Sequence, residues 1–165
     1  MQSAKDIEKE FIAKIEKHQG ILHKVCFVYA KDAADRKDLY QEMVLQLWKS
    51  YPNFRGNAAF STWMYRVALN TAITQTKRPK LLTVNTEIPS LLDDVEATMD
   101  ASEDVKILYR AISQLNKIEK AIILLWLDEK SYEEIAETIG ISVKNVSVKL
   151  VRIKTKLADL IQKLQ

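Results

Sequence analysis

Three groups of side chains in this chain have types and spacings suited to binding or chemistry. The first lies between Ser131 and Lys156. Ser131-Tyr132-Glu133-Glu134 has the form of a capping box, with serine at the N-cap and glutamate at the third helical position. Gly140 is placed to end that short helix in a left-handed conformation, and Ser142 to cap the next one. The next helix carries Lys144, Lys149, Arg152, Lys154 and Lys156. Two capped helices joined by a turn of about three to four residues, the second one basic, form a helix-turn-helix pattern. In such a unit the first helix braces the second, whose N-terminal residues enter the major groove. Ser142, Lys144, Asn145, Ser147 and Lys149 fall on or near the exposed side of that helix. Asparagine reads adenine edges and lysine contacts guanine or phosphate, while Arg152, Lys154 and Lys156 are placed to grip the backbone. The same features fit a helical hairpin with a solvated basic face.

The second group runs from Phe54 to Arg78. Phe54, Phe60, Trp63 and Tyr65 mix with Arg55, Arg66, Lys77, Arg78 and the amides Asn57, Asn70 and Gln75. Stacking rings, phosphate-binding cations and edge-reading amides are the means by which proteins hold single-stranded DNA. Phe60 and Trp63 fall on the apolar face and are read as core. Arg55, Arg66, Asn70, Lys77 and Arg78 are read as exposed. The third group is acidic: Asp35, Asp38 and Glu42 share one side of a helix, with Gln41 beside them. Three neighbouring acids suggest a metal site, but no histidine stands among them. Helix-dipole stabilisation and a polar docking surface for another protein are the other readings.

No catalytic residue is assigned. His18 and His23 are five apart and do not stack on one helical face as a zinc pair would. There is no glycine-rich phosphate loop and no nucleophile elbow. The one cysteine, Cys26, sits in an apolar stripe and reads as core; alone it forms neither an intrachain disulfide nor a cysteine-based zinc site. No cofactor and no metal are implied.

Helices must position these groups. The chain has 165 residues, with only three glycines and three prolines, too few turn formers for an all-β fold. Apolar residues make up 47% and charged residues 28%, enough to bury a core. The longest apolar run, Ala121 to Leu127, is far short of a bilayer span of ~20 residues. The N-terminal stretch mixes charged with apolar residues and does not read as a signal peptide. A soluble, cytoplasmic protein is expected. Helical spacing runs through Ile7, Phe11 and Ile15, then Ile21 to Tyr29, with Gly20 as the expected break. Asp35 is the expected cap of the next helix, which carries Leu39, Met43, Leu47 and Tyr51 and ends at Pro52. A helix from about Ser61 to Arg78 follows, stopped by Pro79. A second helical block begins near Ser102, with a helix capped by Asn116 within it. Residues 1–78 carry a net charge of +5, residues 79–107 of −5 and residues 108–165 of +3. Residues 80–101 lack a sustained period and hold two of the three prolines at or beside them, so they read as a linker. The expected fold is all-α, with two small helical domains, 1–79 and 102–165, joined by a flexible acidic linker. The C-terminal domain is the helix-turn-helix.

The run Asp38-Leu39-Tyr40-Gln41-Glu42 resembles the Asp-Leu-x-Gln-Glu core of bacterial sigma factors of the extracytoplasmic-function group. Phe60-Ser-Thr-Trp63-Met-Tyr65-Arg66-Val-Ala-Leu-Asn70 is similar to that family's signature Phe-x-x-Trp-Leu-Tyr-Arg-Ile-Ala-x-Asn, and Leu115 to Leu157 is similar to its fourth region. The resemblance covers nearly the whole chain, with the motifs in order. It implies a promoter-specific initiation factor that directs RNA polymerase core to promoters and helps open the DNA, without being an enzyme itself. Asp35, Asp38, Gln41 and Glu42 would dock on the clamp helices of the β′ subunit. Arg55, Asn57, Ser61, Arg66, Asn70, Lys77 and Arg78 would recognise and melt the minus-ten element, holding an extruded base. Ser142, Lys144, Asn145, Ser147, Lys149 and Arg152 would read the minus-thirty-five duplex, braced by the β flap. A separate anti-sigma factor is the implied regulator.

The recognition helix departs from the family pattern. It reads Val143-Lys144-Asn145-Val146-Ser147-Val148-Lys149 where relatives often show Gly-Thr-Val-Lys-Ser-Arg. Lys149 replaces arginine and lacks its planar fork, and Val148 is less polar than the pattern. The competing readings are a stand-alone helix-turn-helix regulator, which binds a two-fold duplex site unaided, and a metal-dependent helical hydrolase.

Overall fold

The computed structural model describes residues 2–75 and 102–165. The expected linker at 80–101, together with Lys77 and Arg78, lies outside the described residues. Among the described residues there are eight α-helices and no strands. In chain order they are α1 (Ala4–Lys17), α2 (Gln19–Tyr29), α3 (Ala33–Ser50), α4 (Phe60–Gln75), α5 (Glu103–Ile112), α6 (Lys117–Leu127), α7 (Tyr132–Ile139) and α8 (Val143–Leu164). A single 3-10 turn, Tyr51–Asn53, with proline in its first turn, closes α3.

The caps fix most helix starts. Ser102, Asn116, Ser131 and Ser142 each accept a hydrogen bond from the backbone N–H three residues on, and Asn116 and Ser131 form full capping boxes with Glu119 and Glu134. Gly140 stops α7 in the left-handed conformation, φ 83°, where a side chain would be strained. Three boundaries differ from expectation. Asp32, not Asp35, caps α3: its backbone is extended and its carboxylate accepts the Asp35 N–H at 2.8 Å. Asp35 lies in the first turn instead, where its charge complements the helix dipole. The break between α1 and α2 falls at His18, whose N–H bonds the Lys14 and Ile15 carbonyls, and Gly20 lies inside the first turn of α2. Glycine marked the neighbourhood of that break but not the residue that makes it. The helix expected from Ser61 begins one residue earlier, at Phe60.

The α2 helix is central. Eight of its eleven residues are buried, since α3 and α4 cover one side and α5 and α6 pack on another. A helix covered all round has to be apolar all round, which is why Ile21 to Tyr29 reads as a nearly unbroken apolar run. The stripe Leu39, Met43 and Leu47 of α3 meets Met64, Tyr65, Ala68 and Leu69 of α4 in the same core. On the C-terminal side, Val146, Leu150, Ile153 and Leu157 of α8 close over α5, α6 and α7. Leu22 is fully buried. Leu22→Ala is expected to cost about 2–5 kcal/mol of stability by removing buried methyls and leaving a cavity, as read from chemical denaturation midpoints.

Candidate nucleic-acid and partner-binding surfaces

The α8 helix turns one face to the core and the other to solvent. Val146, Leu150, Ile153 and Leu157 recur at helical spacing and are buried, so the residues between them must point away. Ser142, Lys144, Asn145, Ser147, Lys149 and Arg152 are all exposed. Ser142 spends its hydroxyl on the Asn145 N–H at 3.1 Å, which anchors the start of the helix. Lys149 and Arg152 border a recess of about 510 Å³ against Asn116, Lys117 and Glu119 at the start of α6. Two other basic residues are already engaged. Lys154 lies over the Trp126 ring at 4.1 Å, and Lys156 pairs with Glu119 at 3.1 Å. Both brace the helix against α6.

The loop from Phe54 and the start of α4 form an aromatic cluster. Phe54, Phe60 and Trp63 lie within 5.0–5.6 Å of one another, and Tyr51 meets Phe54 and Trp63 at 6.5 and 6.3 Å. Phe60 and Trp63 are half-buried rather than wholly internal. The rings fill one another's gaps and so hold the loop. Lys14 of α1 is the fastener, with its ammonium 5.4, 5.8 and 5.6 Å from the centres of Tyr51, Phe54 and Phe60. It also donates to the Tyr51 hydroxyl at 3.1 Å and pairs with Glu10 at 3.2 Å. The Tyr51 contact and Glu10 hold the Lys14 pKa above its ordinary value against the opposing effect of burial. Arg55 and Asn57 are exposed on the loop so fastened, and Asn70 is exposed on α4. Sequence spacing carries no signal for the role of Lys14, because its partners lie about forty residues further along the chain.

On α3, Asp35, Asp38, Gln41 and Glu42 are half-buried. Glu42 accepts from the Gln46 amide at 2.9 Å, one turn on. Arg36 lies over the Phe27 ring at 5.2 Å, which holds a cation beside the acids. Among the described residues no group of histidine, cysteine or carboxylate side chains is arranged to hold a metal ion. Cys26 is fully buried and its thiol is pushed well above its ordinary pKa by burial.

The two halves of the described chain pack on each other. Lys130 donates to the Ser61 hydroxyl at 2.9 Å, and the Thr62 hydroxyl donates to Glu134 at 3.1 Å. Arg66 pairs with Glu137 at 3.7 Å, and Lys24 with Asp128 at 3.9 Å. Tyr29 donates to the Lys117 carbonyl at 2.6 Å. Ser61 and Arg66, two of the residues marked for DNA, are therefore engaged inside the molecule. The exposed ion pairs among these are each worth about 0–1 kcal/mol; they rim an apolar contact, because α2 packs on α5 and α6 and the buried residues of both halves form one core. Glu134 is pushed up by burial but held below its ordinary pKa overall by the Ser131 backbone, Thr62, Ser131 and Lys130.

His18, 5.4 Å from the Phe60 ring, sits beside this contact. Desolvation, reinforced by Lys17 and Lys130 against the opposing Asp128, lowers its pKa; desolvation alone lowers that of His23, which stacks on Tyr40. Both folded values lie below the unfolded value of 6.5, so their contribution to stability is present above pH 6.5 and is lost as pH falls below it. The denaturation midpoint is expected to drop between pH 7 and about 5.5. The variant His23→Phe is expected to flatten that slope.

These surfaces, on an all-helical frame ending in a helix-turn-helix, define a DNA-binding protein of modular helical type. Residues 15–80 match the family model for sigma-70 region 2, and residues 106–157 that for sigma-70 region 4. The ECF RNA polymerase sigma-E factor of Escherichia coli K12 is 31% identical over 95% of this chain and 89% of the relative. That of Haemophilus influenzae is 33% identical over 79% of this chain and 76% of the relative. Two solved structures share the fold. The sigma factor RpoE of Bartonella quintana, solved with the anti-sigma factor NepR, aligns at a TM-score of 0.70 and 17% identity, covering 93% of this chain and 98% of that one. CnrH, solved with the cytosolic domain of CnrY, aligns at 0.66 and 19%, covering 94% and 90%. The chain belongs to the sigma-70 family, in its extracytoplasmic-function group, and is a transcription initiation factor. No helix among the described residues is long and apolar enough to cross a membrane.

Proposed function

We infer that this chain works as a two-surface adaptor, with residues 1–79 docking on core RNA polymerase and gripping the minus-ten element and residues 102–165 reading the minus-thirty-five duplex. Residues 80–101 join the two. The observation that carries the reading is the exposed face of α8, where Lys144, Asn145, Ser147, Lys149 and Arg152 stand opposite a buried stripe. An edge-reading amide among cations on one solvent-facing helix side suits a major groove. The half-buried acids Asp35, Asp38 and Glu42 with Gln41 suit the β′ clamp helices, and the α6–α8 unit suits the β flap. Arg55, Asn57 and Asn70, exposed around the ring-braced loop, suit a melted non-template strand, with Ser61 and Arg66 joining them once released from Lys130 and Glu137. Lys77 and Arg78 would extend the same grip. The polymerase supplies the chemistry, so the chain is not an enzyme, and its place of work is the cytoplasm. A separate anti-sigma factor would hold it inactive.

The packing of α4 on α6 and α7 has a functional consequence. The free protein holds Ser61 and Arg66 against its own C-terminal helices, so its DNA affinity is low until polymerase separates the two halves. With fluorophores on Lys5→Cys and Lys163→Cys, energy transfer is expected to fall when core polymerase is added. Buried Cys26 leaves the engineered thiols as the reactive ones. Fluorescence anisotropy tests the function itself. Weak promoter binding by the free protein and tight binding by its complex with core polymerase are expected. Tight unaided binding to a two-fold duplex site would instead favour a stand-alone regulator.

A further inference from the structure

The recognition face of α8 is not uniformly polar. Val148 is 42% exposed and Val151 66%, the highest value among the large exposed apolar residues described. At ~100° per residue, Val148 lies almost diametrically opposite the buried stripe of Val146, Leu150, Ile153 and Leu157. Val151, three residues on, adjoins it on the helix surface. The two isopropyl groups form one small apolar patch at the centre of the outward face. Lys144 and Arg152, one turn to either side of Val148, flank it, and Lys149 lies further round toward α6; all three are exposed. Single exposed apolar residues are ordinary. A paired apolar centre inside a basic frame calls for a partner that is negatively charged outside and apolar at one point. Duplex DNA meets that description: its phosphates flank the groove, and thymine 5-methyl is the apolar group on the major-groove edge.

We propose that Val148 and Val151 are specificity-determining residues that read thymine methyl groups in the minus-thirty-five duplex. This rests on the proposed placing of α8 in the major groove and deepens it. Lys144 and Arg152 would set the depth of the helix through phosphates, Asn145 would read an adenine edge, and the valines would favour thymine over cytosine beside it. The preference would then lie in van der Waals contact rather than in hydrogen bonds. Val148→Ser and Val151→Ser would relax the preference without weakening the hold on phosphate.

The test uses the complex with core polymerase and a promoter duplex recovered by selection with that same complex. Each thymine of the minus-thirty-five element is replaced in turn by deoxyuridine, which removes only the methyl group. A loss of binding of about three- to fivefold at one or two positions is expected, the scale of one buried methyl. 5-Methylcytosine is expected to bind better than cytosine at the same positions. In the Val148→Ser, Val151→Ser variant both differences are expected to vanish. Deoxyuridine without effect on the unaltered protein would overturn the proposal, as would an equal loss in the serine variant. Concentration-dependent self-association abolished by Val151→Ser, with no methyl effect, would assign the patch to a second copy and also overturn it. Failure of the underlying reading is distinct: Lys149→Ala with Arg152→Ala would then leave promoter binding by the complex unchanged.

Discussion

Replacing Lys149 and Arg152 together by alanine is expected to cut promoter-dependent initiation by about 100-fold while leaving the affinity for core polymerase unchanged. Both side chains are exposed on the outward face of α8, and neither takes part in the packing of Leu150 and Ile153 beneath them. Their removal should therefore leave the helix in place. A specific base contact is worth about 1–3 kcal/mol, and a phosphate contact adds a salt-dependent share. The combined effect is large because the two cations flank the same segment of groove. Transcript yield from a fixed amount of complex gives the effect, and the slope of binding against salt should fall by about one for each phosphate no longer neutralised. An unchanged slope would mean that these cations face solvent in the bound state.

The reverse pattern is expected on α3. Asp38→Ala with Glu42→Ala should weaken core polymerase binding by about tenfold or more and leave the minus-thirty-five preference intact. Asp32 caps this helix and Asp35 occupies its first turn, so the two substitutions spare the residues that start it. The apolar stripe of Leu39, Met43 and Leu47 is buried on another face and stays filled. Thermal stability should therefore move little. Close charge pairs across an interface are worth more than pairs in solvent, and removing them shows in dissociation as well as in the salt dependence of association. Titration of labelled protein with core polymerase measures it. A large fall in melting temperature with unchanged polymerase affinity would make the acids structural.

The C-terminal half was the more legible of the two. Its helix starts are fixed by local chemistry: a serine or asparagine cap and a glutamate three residues on are as visible in sequence as in space. The same holds for Gly140, where positive φ selects the residue. In the N-terminal half, Asp32 and Asp35 are both aspartates three residues apart. Only the extended backbone at Asp32 decides between them. The acidic and basic faces could be read from helical periodicity, since exposure follows from which residues the core claims. The aromatic cluster could not: Lys14 reaches it from another helix, and no local pattern encodes that approach. Nor could the packing of α4 on α7, where Thr62 meets Glu134 across more than seventy residues of sequence. The mix of rings, cations and amides marked Arg66 for DNA, but it does not reveal that Glu137 engages the same side chain in the free chain.

Core RNA polymerase, this protein and sheared genomic DNA, with the 5′ ends of the resulting transcripts mapped, test the central claim most directly. Transcripts that require the protein, and whose start sites share spaced minus-ten and minus-thirty-five elements, are expected. Disappearance of those starts with Lys149→Ala and Arg152→Ala, and with Asp38→Ala and Glu42→Ala, would attach the two surfaces to their partners. An absence of protein-dependent start sites, although the chain bound duplex DNA tightly by itself, would contradict that claim.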